Sequence, residues 1–170
     1  MDTEIKQKLE RLKKENKVKN ARKQLIDFMK NRYDIEITNK NFIEYELSEN
    51  VHKKIYEKIR EEHIIIEKFY YEYDTANKKL EELFTRFNHY ESNKILAYPS
   101  TFGFYFRSSN HLYLNFPTAI ISTISQCKEM IFKLIHEMHD DLIVVDESLK
   151  FGFVISEDEY QYVSIEYWGV

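Results

Sequence analysis

The apolar positions of this chain follow two rhythms. Up to about residue 92 they recur every three or four residues, the spacing of one helix face; after Asn93 they alternate, the spacing of a half-buried strand. Residues 2–32 predict a helix with two separate stripes, Ile5-Leu9-Leu12 and Val18-Ala21-Leu25-Phe28. The KKENK between them has nothing apolar to bury, so about the first 15 residues are expected to form a solvated arm. Residues 33–47 alternate only weakly and predict a loop with a short strand or turn.

Ser48 has the chemistry of an N-cap. Beyond it, Ile55, Ile59, Ile66, Phe69, Tyr73, Ala76, Leu80, Leu83, Phe87 and Tyr90 keep a helical stripe broken only at Glu62. One helix over 49–91 would run about 60 Å at 1.5 Å per residue, with a bend near Asp74-Thr75. A six-stranded sheet is only about 25–30 Å wide. The first helix, or a second copy of the chain, is therefore expected to cover the rest of the stripe.

Alternation predicts strands near 95–98, 102–107 and 111–116, with a turn at Arg107-Ser108-Ser109-Asn110. Pro117 suits the first turn of a helix of about 22 residues with Ile120, Ile124, Cys127, Ile131, Leu134 and Met138 on one face. LIVVD, KFGFVIS and YQYVSIEYW complete the chain as strands. The expected fold is α+β: a long N-terminal helical hairpin, then a mainly antiparallel sheet of five to six strands with one packed helix. Residues 1–92 form the helical segment and 93–170 a β-β-β-α-β-β-β module, the two folding as one unit.

Composition changes this picture in three ways. With 170 residues, 43% apolar and 32% charged, the chain can bury a real core and lacks the signature of disorder. Only three glycines are present, so no glycine cluster can cradle phosphates and no G-x-S-x-G elbow exists. Its longest apolar runs, such as Ile64–Ile66 and Leu142–Val145, are far shorter than the roughly 20 residues of a membrane span. With no apolar leader and a single cysteine, Cys127, the expected location is the cytoplasm.

Charge is split between the ends. Residues 1–32 hold eleven Lys/Arg against five Asp/Glu, and residues 136–170 hold nine Asp/Glu against Lys150 alone. The two ends are expected to present surfaces of opposite potential.

Candidate chemistry is sparse. His136-Glu137-Met138-His139 falls one residue short of the zinc-binding H-E-x-x-H spacing and has no third ligand downstream. A histidine-rich helix C-terminus, favoured by the helix dipole, explains it better. Cys127 lies on an apolar face and reads as a buried structural thiol. No catalytic residue, metal or cofactor is assigned. The basic N-terminal helix could neutralise nucleic-acid phosphates, but Glu4, Glu10 and Glu15 interleave with its cations as on a solvated face.

The acidic C-terminal segment is sharper. Asp140, Asp141, Glu157, Asp158 and Glu159, with Tyr160 and Trp168, are the candidate partner-binding residues, because aromatic anchors amid carboxylates suit a basic protein surface. Tyr162 is expected on the Tyr160 face if the strand is regular. The alternative is that the tyrosines alternate into the core and the acids merely face water. The expectation is a non-enzymatic binding or inhibitor protein of the immunity or antitoxin kind, from a bacterium or its phage, that neutralises a basic partner such as a nuclease toxin. The alternative function is nucleic-acid association through the N-terminal helix.

Overall fold

A computed structural model describes residues 2–99, 116–137 and 142–170. Helix α1 (Asp2–Tyr33) is followed by α2 (Tyr45–Lys58), strand β1 (Ile65–Tyr70) and α3 (Tyr73–Arg86). Then come β2 (Lys94–Pro99), β3 (Ile120–Thr123), α4 (Ile124–Glu137), β4 (Leu142–Val145), β5 (Gly152–Glu157) and β6 (Tyr162–Trp168). The six strands form one sheet in the order β1-β6-β5-β4-β2-β3, with every neighbouring pair antiparallel. The α+β class expected from the sequence is the class observed.

Alternation along the strands makes two cores. On one face, Ile95, Ala97, Leu142, Val144, Phe153, Ile155, Val163, Ile165 and Tyr167 pack with the buried stripes of α1, α3 and α4. On the other, Leu96, Tyr98, Ile143, Val145, Val154 and Trp168 pack with Val51 and Ile55 of α2. Cys127 belongs to the first core, as its position on an apolar face predicts, and burial pushes its thiol up to about 12.

The single helix expected over 49–91 does not form. Its stripe is divided between α2 and α3, and β1 lies between them. Ile64, Ile65 and Ile66 are β-branched and fit a pleated strand better than a helix turn, and β1 pairs along its whole length with β6. The helical hairpin is therefore replaced by three helices and a strand, and no overlong stripe remains to seek a second copy. Antiparallel pairing secures β1 by Tyr167 Oη donating to Glu67 at 2.9 Å and by Lys79 of α3 at 3.2 Å from the same carboxylate.

Two further boundaries differ from expectation. Ser48 is no N-cap: it is buried within α2, donates to the Pro117 carbonyl at 2.7 Å and accepts the Ala119 N–H at 2.9 Å. Pro117 does not open a helix, because Ile120–Thr123 pair with β2 and the helix starts only at Ile124. Thr123 and Gln126 exchange hydrogen bonds at 3.2 Å in each direction, a capping box that fixes this start. The predicted strands at 102–107 and 111–116 and the turn between them lie outside the described residues.

Candidate functional site: an open sheet face ending in tyrosines

Helix α2 covers only part of its face of the sheet. Antiparallel register places side chains on that face in rows running across β1, β6 and β5. The row Gly152-Trp168 lies beneath α2, and Trp168 is 3% exposed. The rows beyond it run out toward solvent at the β1 edge: Ile66-Glu166-Val154, of which Val154 is still buried, then Lys68-Ser164-Ser156, then Tyr70-Tyr162. Ile66 is 64% exposed, Tyr70 50% and Tyr162 41%, too much for side chains of a covered sheet.

At the far end of these rows the β5–β6 turn carries Asp158, Glu159, Tyr160 and Gln161. Tyr160 is 69% exposed. Its position follows from the turn, in which Asp158 Oδ1 accepts the N–H groups of Tyr160 and Tyr162, both at 2.9 Å. Asp158 Oδ2 meets Lys68 Nζ at 3.1 Å. The Tyr162 N–H bond leads the causes that hold the Asp158 carboxyl below its usual range, with Lys68 and Tyr160 adding to it. Lys68 also lies 5.2 Å from the Tyr162 ring centroid, and Tyr70 meets Tyr162 edge to face at 5.5 Å. Tyr70 Oη donates to Gln161 Oε1 at 3.0 Å. The result is a preorganised aromatic end to an open face, with Glu159 exposed in the adjoining turn; Glu157, paired with Val163, belongs to the opposite face near Tyr71. Burial on this face holds the Glu166 carboxyl above its usual value.

Of the residues expected to bind a partner, Asp158, Glu159 and Tyr160 are brought together in this turn, and Glu157 ends β5 just before it. Trp168 is not. It lies at the opposite end of β6, in the core under α2, and its indole N–H donates to the Leu149 carbonyl at 3.0 Å. It is a core residue rather than a surface anchor. Asp140 and Asp141 lie outside the described residues. Tyr162 does not alternate with Tyr160 along a regular strand, since Tyr160 sits in the turn before β6 begins. Tyr70, Ile66 and Lys68 join the site only through the β1–β6 pairing, and no local signal in the sequence announces it.

The histidine singled out for metal chemistry is engaged otherwise. His136 Nε2 meets Asn77 Oδ1 at 2.7 Å and Nδ1 meets Tyr71 Oη at 2.9 Å. The amide oxygen can only accept, so Nε2 carries the proton and Nδ1 accepts the Tyr71 hydroxyl. Tyr73 stacks on the ring at 4.1 Å. Burial lowers the His136 pKa, and burial first, then Glu157 and Tyr73, raises that of Tyr71. A neutral imidazole with both nitrogens occupied, facing a firmly protonated phenol, locks α3 to α4 and is not poised for metal binding or proton transfer. Among the described residues, no group of three or more His, Cys, Asp or Glu side chains could hold a metal ion. No described helix is long and apolar enough to cross a membrane.

The chain matches no protein-family model, and comparisons with curated proteins and with solved structures also give no match.

Proposed function

We infer that this protein is a non-enzymatic binding protein whose open β1–β6 face docks a basic protein surface. The concrete form is an inhibitor of the immunity or antitoxin kind, with a nuclease toxin as the type of partner. The observation that carries the reading is the exposed set Ile66, Tyr70, Tyr160 and Tyr162, with Glu166 in the same rows and Glu159 in the adjoining turn. Large rigid aromatics on a fixed sheet lose little entropy on docking and supply most of the affinity, while carboxylates around them speed encounter with a cationic partner. Net charge supports it: with eleven cations and five acids in residues 1–32 and a total of −4, the remaining 138 residues sum to −10.

The test is co-expression with the toxic proteins encoded beside its gene, followed by direct binding. Rescue of growth, lost in Tyr70→Ala combined with Tyr162→Ala while the fold melts normally, is the expected result. If no neighbouring product is toxic or bound, or if the double variant protects fully, the reading fails.

A further inference from the structure

Helix α1 changes its apolar face halfway along. Its second half buries Val18, Ala21, Leu25, Met29 and Tyr33 against the body. Residues 2–17 are exposed throughout, yet Ile5, Leu9 and Leu12 repeat at helical spacing there and stand 55%, 52% and 47% exposed. At 3.6 residues per turn, this outer stripe is rotated roughly 150° from the buried one. The helix cannot present both stripes to its own body. Where it first touches the body, polar side chains make the contact: Lys14 bonds Glu49 at 3.1 Å and Lys17 lies 5.9 Å from the Phe116 ring centroid.

The stripe is narrow. Three residues spaced four and three apart make the seam of a coiled coil, with Leu9 at an a position and Ile5 and Leu12 at d. A helix lying on a lipid surface presents a broader apolar face. The seam is flanked by Lys6, Lys8 and Lys13 at three of its four e and g positions and by Glu15 at the fourth, so a second copy gains no net charge attraction as its cover. In a parallel pair, Lys8 of one copy would face Lys13 of the other; in an antiparallel pair, Lys6 would face Lys13, which the attraction of Lys8 for Glu15 would no more than offset. Six Lys/Arg against four Asp/Glu in residues 2–17 also leave only a small positive excess for binding phosphates.

We propose that residues 2–17 are a docking arm for a partner's amphipathic helix whose apolar seam is flanked by carboxylates. This goes beyond the open-face reading and uses none of its residues, so either can fail alone.

The probe is a synthetic 21-residue peptide with Leu at a and d and Glu at e and g, titrated into the full chain and followed by fluorescence anisotropy. A peptide with Lys at e and g is the control. The Glu-flanked probe binds, more weakly as salt rises, and the Lys-flanked probe does not. Leu9→Ser weakens binding by about tenfold or more with an unchanged melt, since Leu9 is exposed. Lys8→Glu combined with Lys13→Glu reverses the preference between the probes. Failure of the Glu-flanked probe to bind, or indifference to Leu9→Ser, overturns the proposal. So does a Leu9-dependent dimer of the chain alone, or Leu9-dependent binding to phosphatidylserine vesicles or duplex DNA in preference to the probe.

Discussion

The covered and open halves of one sheet face share strand β6, and aromatic residues mark both. In the covered half, Trp168 sits over Gly152 beneath α2, with its indole bonded to Leu149. In the open half, Tyr162 meets Tyr70 edge to face, and both rings stay largely in solvent with Lys68 as their charged neighbour. What separates them is the reach of α2, together with the absence of a Cβ at position 152. A Cβ built on Gly152 would come within 2.8 Å of both the Trp168 ring and the Val144 carbonyl oxygen. Aromatic content along β6 therefore says nothing about role until it is known which row a side chain occupies.

The largest expected effect follows directly. Trp168→Ala should lose about 3–5 kcal/mol of stability, the usual cost of emptying a large aromatic site in a core. Urea unfolding measures it. A loss below 1 kcal/mol would mean that the covered half is open too, and would restore Trp168 as a surface anchor.

A second prediction probes the covered half through pH. His52 of α2 lies 5.4 Å from the Tyr98 ring centroid, and burial lowers its pKa from 6.5 to about 4. Above pH 6.5 the imidazole is neutral in the folded and unfolded chains alike, so its stability contribution is fully present. As pH falls from 6.5 toward 4, the unfolded chain takes up the proton first, and stability is lost by up to about 3 kcal/mol. His52→Phe should flatten this part of the profile relative to the parent chain. Parallel profiles between pH 7 and 4 would place His52 in water.

The sequence made the covered half far more legible than the open one. Strands β2, β4, β5 and β6 announce themselves by alternation or by short apolar runs, because burial on two faces leaves few polar positions. Thr123-Ile124-Ser125-Gln126 carries a capping-box spacing that marks the true start of α4, although Pro117 is the louder signal. Strand β1 was hidden for a physical reason. As an edge strand it buries little, with only Glu67 and Phe69 less than exposed, so its polar pattern obeys no rule of two. Its identity depends on β6, about a hundred residues away. The tyrosine site inherits that difficulty, since half of it lies on β1.

A smaller effect is expected at the hinge of the open half. Asp158→Ala removes the acceptor for two backbone N–H groups and the partner of Lys68, so it should lower the melting temperature less than Trp168→Ala but measurably. Asp158→Asn keeps an acceptor oxygen and should fall between Asp158→Ala and the parent. The Asp158 carboxyl is held below its usual range, so this stabilisation is present above the ordinary carboxylate pKa and is lost as pH falls through the lowered one. Equal melting of Ala, Asn and parent proteins would show that the turn does not depend on this side chain.

The smallest effect on stability should accompany the largest effect on association. Glu157→Gln with Glu159→Gln alters side chains that face solvent at least in part, and stability should stay within about 0.5 kcal/mol of the parent. Tyr160→Ala should be equally mild, because its ring is largely in water and its backbone N–H, which Asp158 accepts, is untouched. Against a basic partner the two kinds of change should separate kinetically. Loss of carboxylates slows association, most clearly at low salt, since rim charges act on the encounter. Loss of the ring speeds dissociation and costs about 2 kcal/mol or more if Tyr160 is an anchor. Trp168→Ala, read at a temperature where it remains folded, should change neither rate beyond what its partial unfolding explains. If it alters dissociation while Tyr160→Ala does not, the roles of the two halves are reversed, and the open face is bare sheet surface rather than a docking site.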